Sequence, residues 1–131
     1  MRNSIPFLMA LITALFLFSC SESKSEAEYY KLAYDQYNDG KYEESIKNFT
    51  SLIEEYPDGE NTPNTIFMVG FIYANHLEKY DEAKKYYNMF MEKYPDHELV
   101  SSAKYELETL GKDINELDIF KNIEEEKKKE N

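Results

Sequence analysis

Only one cysteine occurs in the 131 residues, at position 20. No internal disulfide can form, and no zinc site can be assembled from thiolates. Tryptophan is absent and histidine occurs twice. His76 and His97 do not share a His-x-x-x-His spacing, so no helical ligand pair is available to a metal. Both are expected to be exposed and non-catalytic. Glycine is scarce too, with four residues. None forms a phosphate-cradling loop after a strand, and no serine sits in a nucleophile elbow. Carboxylate pairs such as Glu54-Glu55 and Asp81-Glu82 are adjacent, so on a helix they diverge by about 100°. They belong to solvated faces rather than to acid–base catalysis. No enzyme, cofactor, metal or small-molecule substrate is expected.

Positive charge is also in deficit. Fifteen basic residues face twenty-six acidic ones, for a net charge of -11. Such a field repels nucleic acid and anionic membrane surfaces, and excludes nucleic acid as a partner. The one long apolar run, Ile5 to Phe18, is too short to span a bilayer comfortably, which takes about 20 residues. After Met1-Arg2-Asn3 it suits the apolar stretch of a secretory signal.

That run ends in Leu17-Phe18-Ser19-Cys20 and is followed by the polar stretch Ser21 to Glu26. Here the chain resembles a bacterial lipoprotein precursor. The resemblance implies cleavage before Cys20, lipidation of Cys20 and, through Ser21, an outer-membrane destination. Several acyl chains would hold the protein on the membrane, because each buried methylene contributes about 0.8 kcal/mol. An ordinary signal peptide with an incidental cysteine, and an uncleaved anchor helix, remain open. Residues 1–19 are then the signal peptide and 20–26 a flexible tether.

Abundance lies elsewhere, in twelve tyrosines, eight phenylalanines and an internal echo. Lys41-Tyr42-Glu43-Glu44-Ser45 returns 38 residues later as Lys79-Tyr80-Asp81-Glu82-Ala83. Glu54-Glu55-Tyr56-Pro57-Asp58 returns as Glu92-Lys93-Tyr94-Pro95-Asp96. Positions 41–58 and 79–96 are identical at 8 of 18 sites. Phe49/Tyr87, Leu52/Phe90 and Ile53/Met91 exchange like for like. A period of this length marks stacked helical hairpins, which build binding surfaces more often than catalytic clefts.

The periodicity predicts five helices. Leu32, Ala33, Gln36 and Tyr37 share one face of the first, which stops at Asn38-Asp39-Gly40, with Gly40 suited to a left-handed cap. Tyr42, Ser45, Ile46, Phe49, Leu52 and Ile53 line the second. Thr62-Pro63 reads as an N-cap and first-turn proline opening the third, which carries Ile66, Phe67, Gly70, Phe71, Tyr73 and Ala74. Tyr80, Ala83, Tyr87, Phe90 and Met91 define the fourth. Asp96 is expected to cap the fifth, with Val100, Ala103, Leu107 and Leu110 inward and Gly111 closing it. A degenerate third unit follows. Gly111-Lys112 and Phe120 repeat Gly40-Lys41 and Phe49, and Leu117 and Ile123 answer Ile46 and Leu52. Ile114 to about Lys127 would be the closing helix, and residues 124–131 a charged, disordered tail.

The pattern resembles the tetratricopeptide repeat. The resemblance implies an all-α superhelix of about two and a half to three hairpins over residues 27–123. It also implies close helix approach at Ala33, Ser45, Gly70 and Ala83, with Pro57 and Pro95 closing each unit. Gly40-Lys41-Tyr42 matches the family's turn, whereas Glu78-Lys79-Tyr80 lacks the glycine, and one extra residue separates Gly70 from Ala83. Tyr80-x-x-Ala83-x-x-x-Tyr87 and Tyr94-Pro95-Asp96-His97 are similar to BamD-like (YfiO) and CpoB (YbgF) lipid-anchored periplasmic repeat proteins. This implies an adaptor on the periplasmic face of the outer membrane, with envelope proteins or peptides as partners. A subunit of an outer-membrane protein assembly complex and a self-assembling structural protein are the alternatives. The candidate binding face is Tyr30, Tyr34, Tyr37, Tyr73 and Asn64, with Lys31 and Asn75 as polar contacts. Core packing of the tyrosines competes with this reading.

Overall fold

The computed structural model describes residues 23–112. They form five helices: α1 Glu26–Asn38, α2 Tyr42–Glu55, α3 Thr62–Asn75, α4 Tyr80–Lys93 and α5 Val100–Thr109. No strand occurs among the described residues. The connections, residues 39–41, 56–61, 76–79 and 94–99, are short enough to set successive helices antiparallel. α1 pairs with α2 and α3 with α4, while α2 packs on α3 and α4 on α5. This is the expected all-α hairpin repeat, with two complete hairpins and half of a third among the described residues. The signal segment, Cys20, residues 20–22 of the tether, the closing helix and the tail lie outside those residues.

The echo in the sequence is an echo in the backbone. Lys41 precedes α2 with φ -89° and ψ 70°, and Lys79 precedes α4 with φ -93° and ψ 76°. Tyr56 ends α2 at φ -127°, ψ 62°, and Tyr94 ends α4 at φ -131°, ψ 61°. The Tyr56 and Tyr94 amides each donate to the carbonyl four residues back, at 2.8 Å. The hairpin turn is conserved in shape but not in residue. Gly40 holds φ +75° and its counterpart Glu78 holds φ +53°. A side chain in this left-handed region costs about 1–2 kcal/mol. The extra residue of the second turn shows in its closing bond. The Lys41 amide reaches back five residues to Gln36, while the Lys79 amide reaches back six to Tyr73.

Small residues set the helix spacing where the repeat pattern implied. Ala33, Ser45 and Ala83 are fully buried. The Ser45 hydroxyl donates to the Ala33 carbonyl at 2.8 Å, joining α2 to α1. Gly70 meets the Tyr87 ring so closely that a Cβ there would stand 3.0 Å from two ring carbons. Phe49 and Tyr87, like Leu52 and Phe90, are equivalent and completely buried. α3 is apolar around most of its circumference because it serves both hairpins. Val69 and Ile72 pack with Ala33, Ile46 and Phe49, whereas Ile66 and Ala74 pack with Ala83, Tyr87 and Phe90.

Two helix starts differ from the sequence expectation. Thr62 is not the N-cap of α3 but its first residue, and Asn61 precedes it. Thr62 is buried, and its hydroxyl donates inward to the Tyr56 carbonyl instead of capping. Pro63 sits in the first turn as expected. Asp96 does not cap α5, which begins four residues later, after Leu99. His97 shapes that turn, with Nδ1 accepting from the Leu99 amide at 3.2 Å. The expected inward residue Ala103 is buried, and Gly111 closes the helix at φ +71°. Pro57 and Pro95 are exposed in the turns that follow α2 and α4.

Candidate functional site

α1 places Tyr30, Tyr34 and Tyr37 on one stripe, because residues three and four apart share a helix face. The three rings form a ladder. Tyr30 and Tyr34 stand 4.7 Å apart between centroids, and Tyr34 and Tyr37 6.5 Å apart at 75°. Phe49 of α2 supports the ladder from beneath, at 5.2 Å and nearly perpendicular to Tyr34. All three tyrosines are partly buried. They are neither sealed core nor free surface. Burial, helped by the neighbouring Tyr30 phenol, holds the Tyr34 hydroxyl neutral far above the usual tyrosine range. Such rings offer a rigid apolar surface edged with hydroxyl groups, which suits contact with another chain.

The other candidate residues do not join the ladder. Tyr73 faces Tyr86 of α4, with centroids 5.8 Å apart. Burial raises the pKa of both phenols, with the Glu82 carboxylate adding to the effect at Tyr73. Asn64 is partly buried near the start of α3, nine residues and so about 14 Å of helix from Tyr73. Lys31 is exposed and pairs with Asp35 one turn on. Asn75 donates to the Phe71 carbonyl at 3.1 Å and approaches Glu106 of α5.

The histidines are not the exposed residues expected. Both are partly buried. The His76 ring stacks on Tyr42 at 4.1 Å and 19°, and Tyr37 and Phe71 meet its edges. Its Nε2 lies 3.2 Å from the Tyr37 hydroxyl. His97 packs edge-on against Phe90 at 5.3 Å. Residues in a turn are ordinarily solvated, but these two are not. Here the turn folds back onto the aromatic rings that flank it.

A second cluster, at the opposite end of the helices, was not visible from the sequence. The Ser23 hydroxyl donates to Glu55 at 2.6 Å, and so does the Tyr29 hydroxyl. These two bonds, Ser23 first, depress the Glu55 pKa. The Tyr56 hydroxyl donates to the Lys24 carbonyl at 2.8 Å. Glu26 accepts from the Asn61 amide at 2.6 Å, placing its carboxylate at the positive end of α3. Ser25 and Glu28 cap each other's backbone in a reciprocal box. Only that box had a local signal, Ser25-x-x-Glu28; the other contacts join residues far apart in the chain. Helix α1 therefore starts at Glu26, one residue before the expected domain boundary, and residues 23–25 are fastened to the first hairpin.

The sequence profile of the YfiO family, described as outer membrane lipoprotein, matches residues 22–127. The chain belongs to this family. The match covers both hairpins and α5, and extends past the last described residue. No curated protein matches the chain. Among the described residues no group of three or more His, Cys, Asp or Glu could hold a metal ion, and no helix is long and apolar enough to cross a membrane.

Proposed function

We propose that this outer membrane lipoprotein is an adaptor, anchored through acyl chains on Cys20 at the periplasmic face and binding another envelope protein through the tyrosine face of α1. The observation that carries this reading is the ladder of Tyr30, Tyr34 and Tyr37, partly buried and supported by Phe49. Its mechanism is display. The lipid fixes the location, residues 27–123 form the platform, and aromatic rings receive apolar side chains while phenols hydrogen-bond an extended backbone or partner helix. Residues 1–19 are removed on export. The engagement of both histidines in packing supports a binding rather than a catalytic role.

Crosslinking in the native envelope tests the reading. Tyr30→Ala is compared with wild type after circular dichroism has shown it folded. Loss of a specific crosslinked partner is expected. Retention of every partner by folded Tyr30→Ala and Tyr34→Ala variants overturns the aromatic site. Cys20→Ala should release the protein from the membrane; continued association with unchanged mass overturns the anchor. The family match supports a second reading, a subunit of an outer-membrane protein assembly complex, which co-purification with such a complex would establish.

A further inference from the structure

The antiparallel arrangement divides the molecule into two ends. One end holds the starts of α1, α3 and α5 and the finishes of α2 and α4, and therefore both Tyr-Pro-Asp turns. The other holds the Gly40 and Glu78 turns with the Tyr37–Tyr42–His76 cluster. The chain enters at the first end and is fastened there. Ser23 is bound to Glu55, Lys24 to Tyr56, and Glu26 to the start of α3.

From these contacts we propose that the protein stands end-on at the bilayer, with the Tyr-Pro-Asp turns facing lipid headgroups and the Tyr37–His76 end pointing away. This placement rests on the reading of Cys20 as the lipidated residue. Ser23 lies three positions after Cys20, and three residues reach at most about 11 Å. The fastened end cannot leave the headgroup region. The body of the molecule is acidic, with ten lysines and eighteen carboxylates between residues 23 and 112, a net charge of -8. Anionic headgroups repel it over a screening length of about 10 Å at 0.1 M salt. A body leashed at one end and repelled along its flanks minimises contact by standing upright. α1, with thirteen residues, then carries its far end about 20 Å further from the membrane. The surface nearest the lipid includes Glu55, Asp58 and Glu60, all exposed. Among the described residues its cations are Lys24 and Lys93, and Lys93 is engaged with the Pro57 carbonyl and Asp58, so this surface suits a zwitterionic headgroup layer.

The test uses the full lipidated chain in phosphatidylethanolamine–phosphatidylglycerol vesicles carrying nitroxide-labelled headgroups. Cys20 is the only native cysteine and is blocked by lipid, so a fluorophore reacts only with an introduced thiol. Glu60→Cys marks the membrane end, Asp35→Cys the flank of α1 and Asp81→Cys the far end; all three positions are exposed. Loss of emission is expected at Glu60→Cys, with little at Asp35→Cys and none at Asp81→Cys. Equal loss at Glu60→Cys and Asp35→Cys means that the domain lies flat, and overturns the proposal. Greater loss at Asp81→Cys means that it is inverted, and also overturns it. If no variant floats with vesicles and mass spectrometry finds no acyl chains, the lipid anchor itself fails, and the placement with it.

Discussion

The Tyr37 hydroxyl lies 3.2 Å from Nε2 of His76, so the last turn of α1 is joined to the residue that ends α3. Tyr42, from the start of α2, stacks on the other side of the same imidazole. Tyr37→Phe should lower unfolding stability by about 1 kcal/mol through the lost hydrogen bond. His76→Ala, which also removes the stack and two edge contacts, should cost about 1–3 kcal/mol. A double-mutant cycle in urea should give a non-zero coupling between the two. Strict additivity would show that the contact contributes nothing.

The glycines make opposite predictions. Gly70→Ala drives a methyl group to 3.0 Å from the buried Tyr87 ring, and should destabilise the protein by about 1–3 kcal/mol. Glu78→Gly restores the residue that the first repeat uses at the same turn. It relieves the left-handed strain at φ +53° but frees the unfolded chain, for a net gain of about 0.5–1 kcal/mol. Thermal unfolding should therefore show Tm falling for the first variant and rising for the second.

Tyr87 fills the place of Phe49 and adds a hydroxyl. That hydroxyl is buried without a hydrogen-bond partner among the described residues. Tyr87→Phe should therefore gain up to about 1 kcal/mol, since a buried unpaired polar group is penalised. A loss of stability in chemical denaturation would reveal a partner for it, for which the Glu106 carboxylate, whose charge and hydrogen bonding add to burial in raising the Tyr87 pKa, is the candidate.

Stability should fall on both sides of neutrality. Glu55, held down by the Ser23 and Tyr29 hydroxyls, and Glu28, held down by Ser25, have folded pKa values below the ordinary 4.5. Their contribution is complete above pH 4.5 and is lost as pH drops through the folded values. Tyr34 and Tyr87 are pushed up mainly by burial. Their contribution is complete below the ordinary pKa of about 10 and is lost as pH climbs beyond it. Melting temperatures across pH should trace both slopes. Ser23→Ala should flatten the acid one.

Periodicity made the hairpins readable because burying one face of a helix leaves a regular mark at Ser45, Phe49 and Leu52. It made α3 only half readable. Val69 and Ile72 serve the first hairpin, a second face that a single-stripe reading overlooks. The candidate tyrosines of α1 were readable as a stripe, and the structure keeps Tyr30, Tyr34 and Tyr37 together. Tyr73 packs against the same first-hairpin core as these rings, while its own ring meets Tyr86 of α4. The aromatic setting of His76 and the grip of Glu26 on Asn61 had no local trace, because each joins residues more than thirty positions apart.

The Glu26 to Asn61 bond has a mechanical consequence. Force applied at the amino terminus meets the Ser23–Glu55 and Tyr56–Lys24 bonds at the first hairpin, and through Glu26 it also loads the start of the second. Two structural units thus share a strain that would otherwise peel α1 away alone. Tension on the proposed Cys20 anchor would therefore be carried by both hairpins rather than by α1 alone.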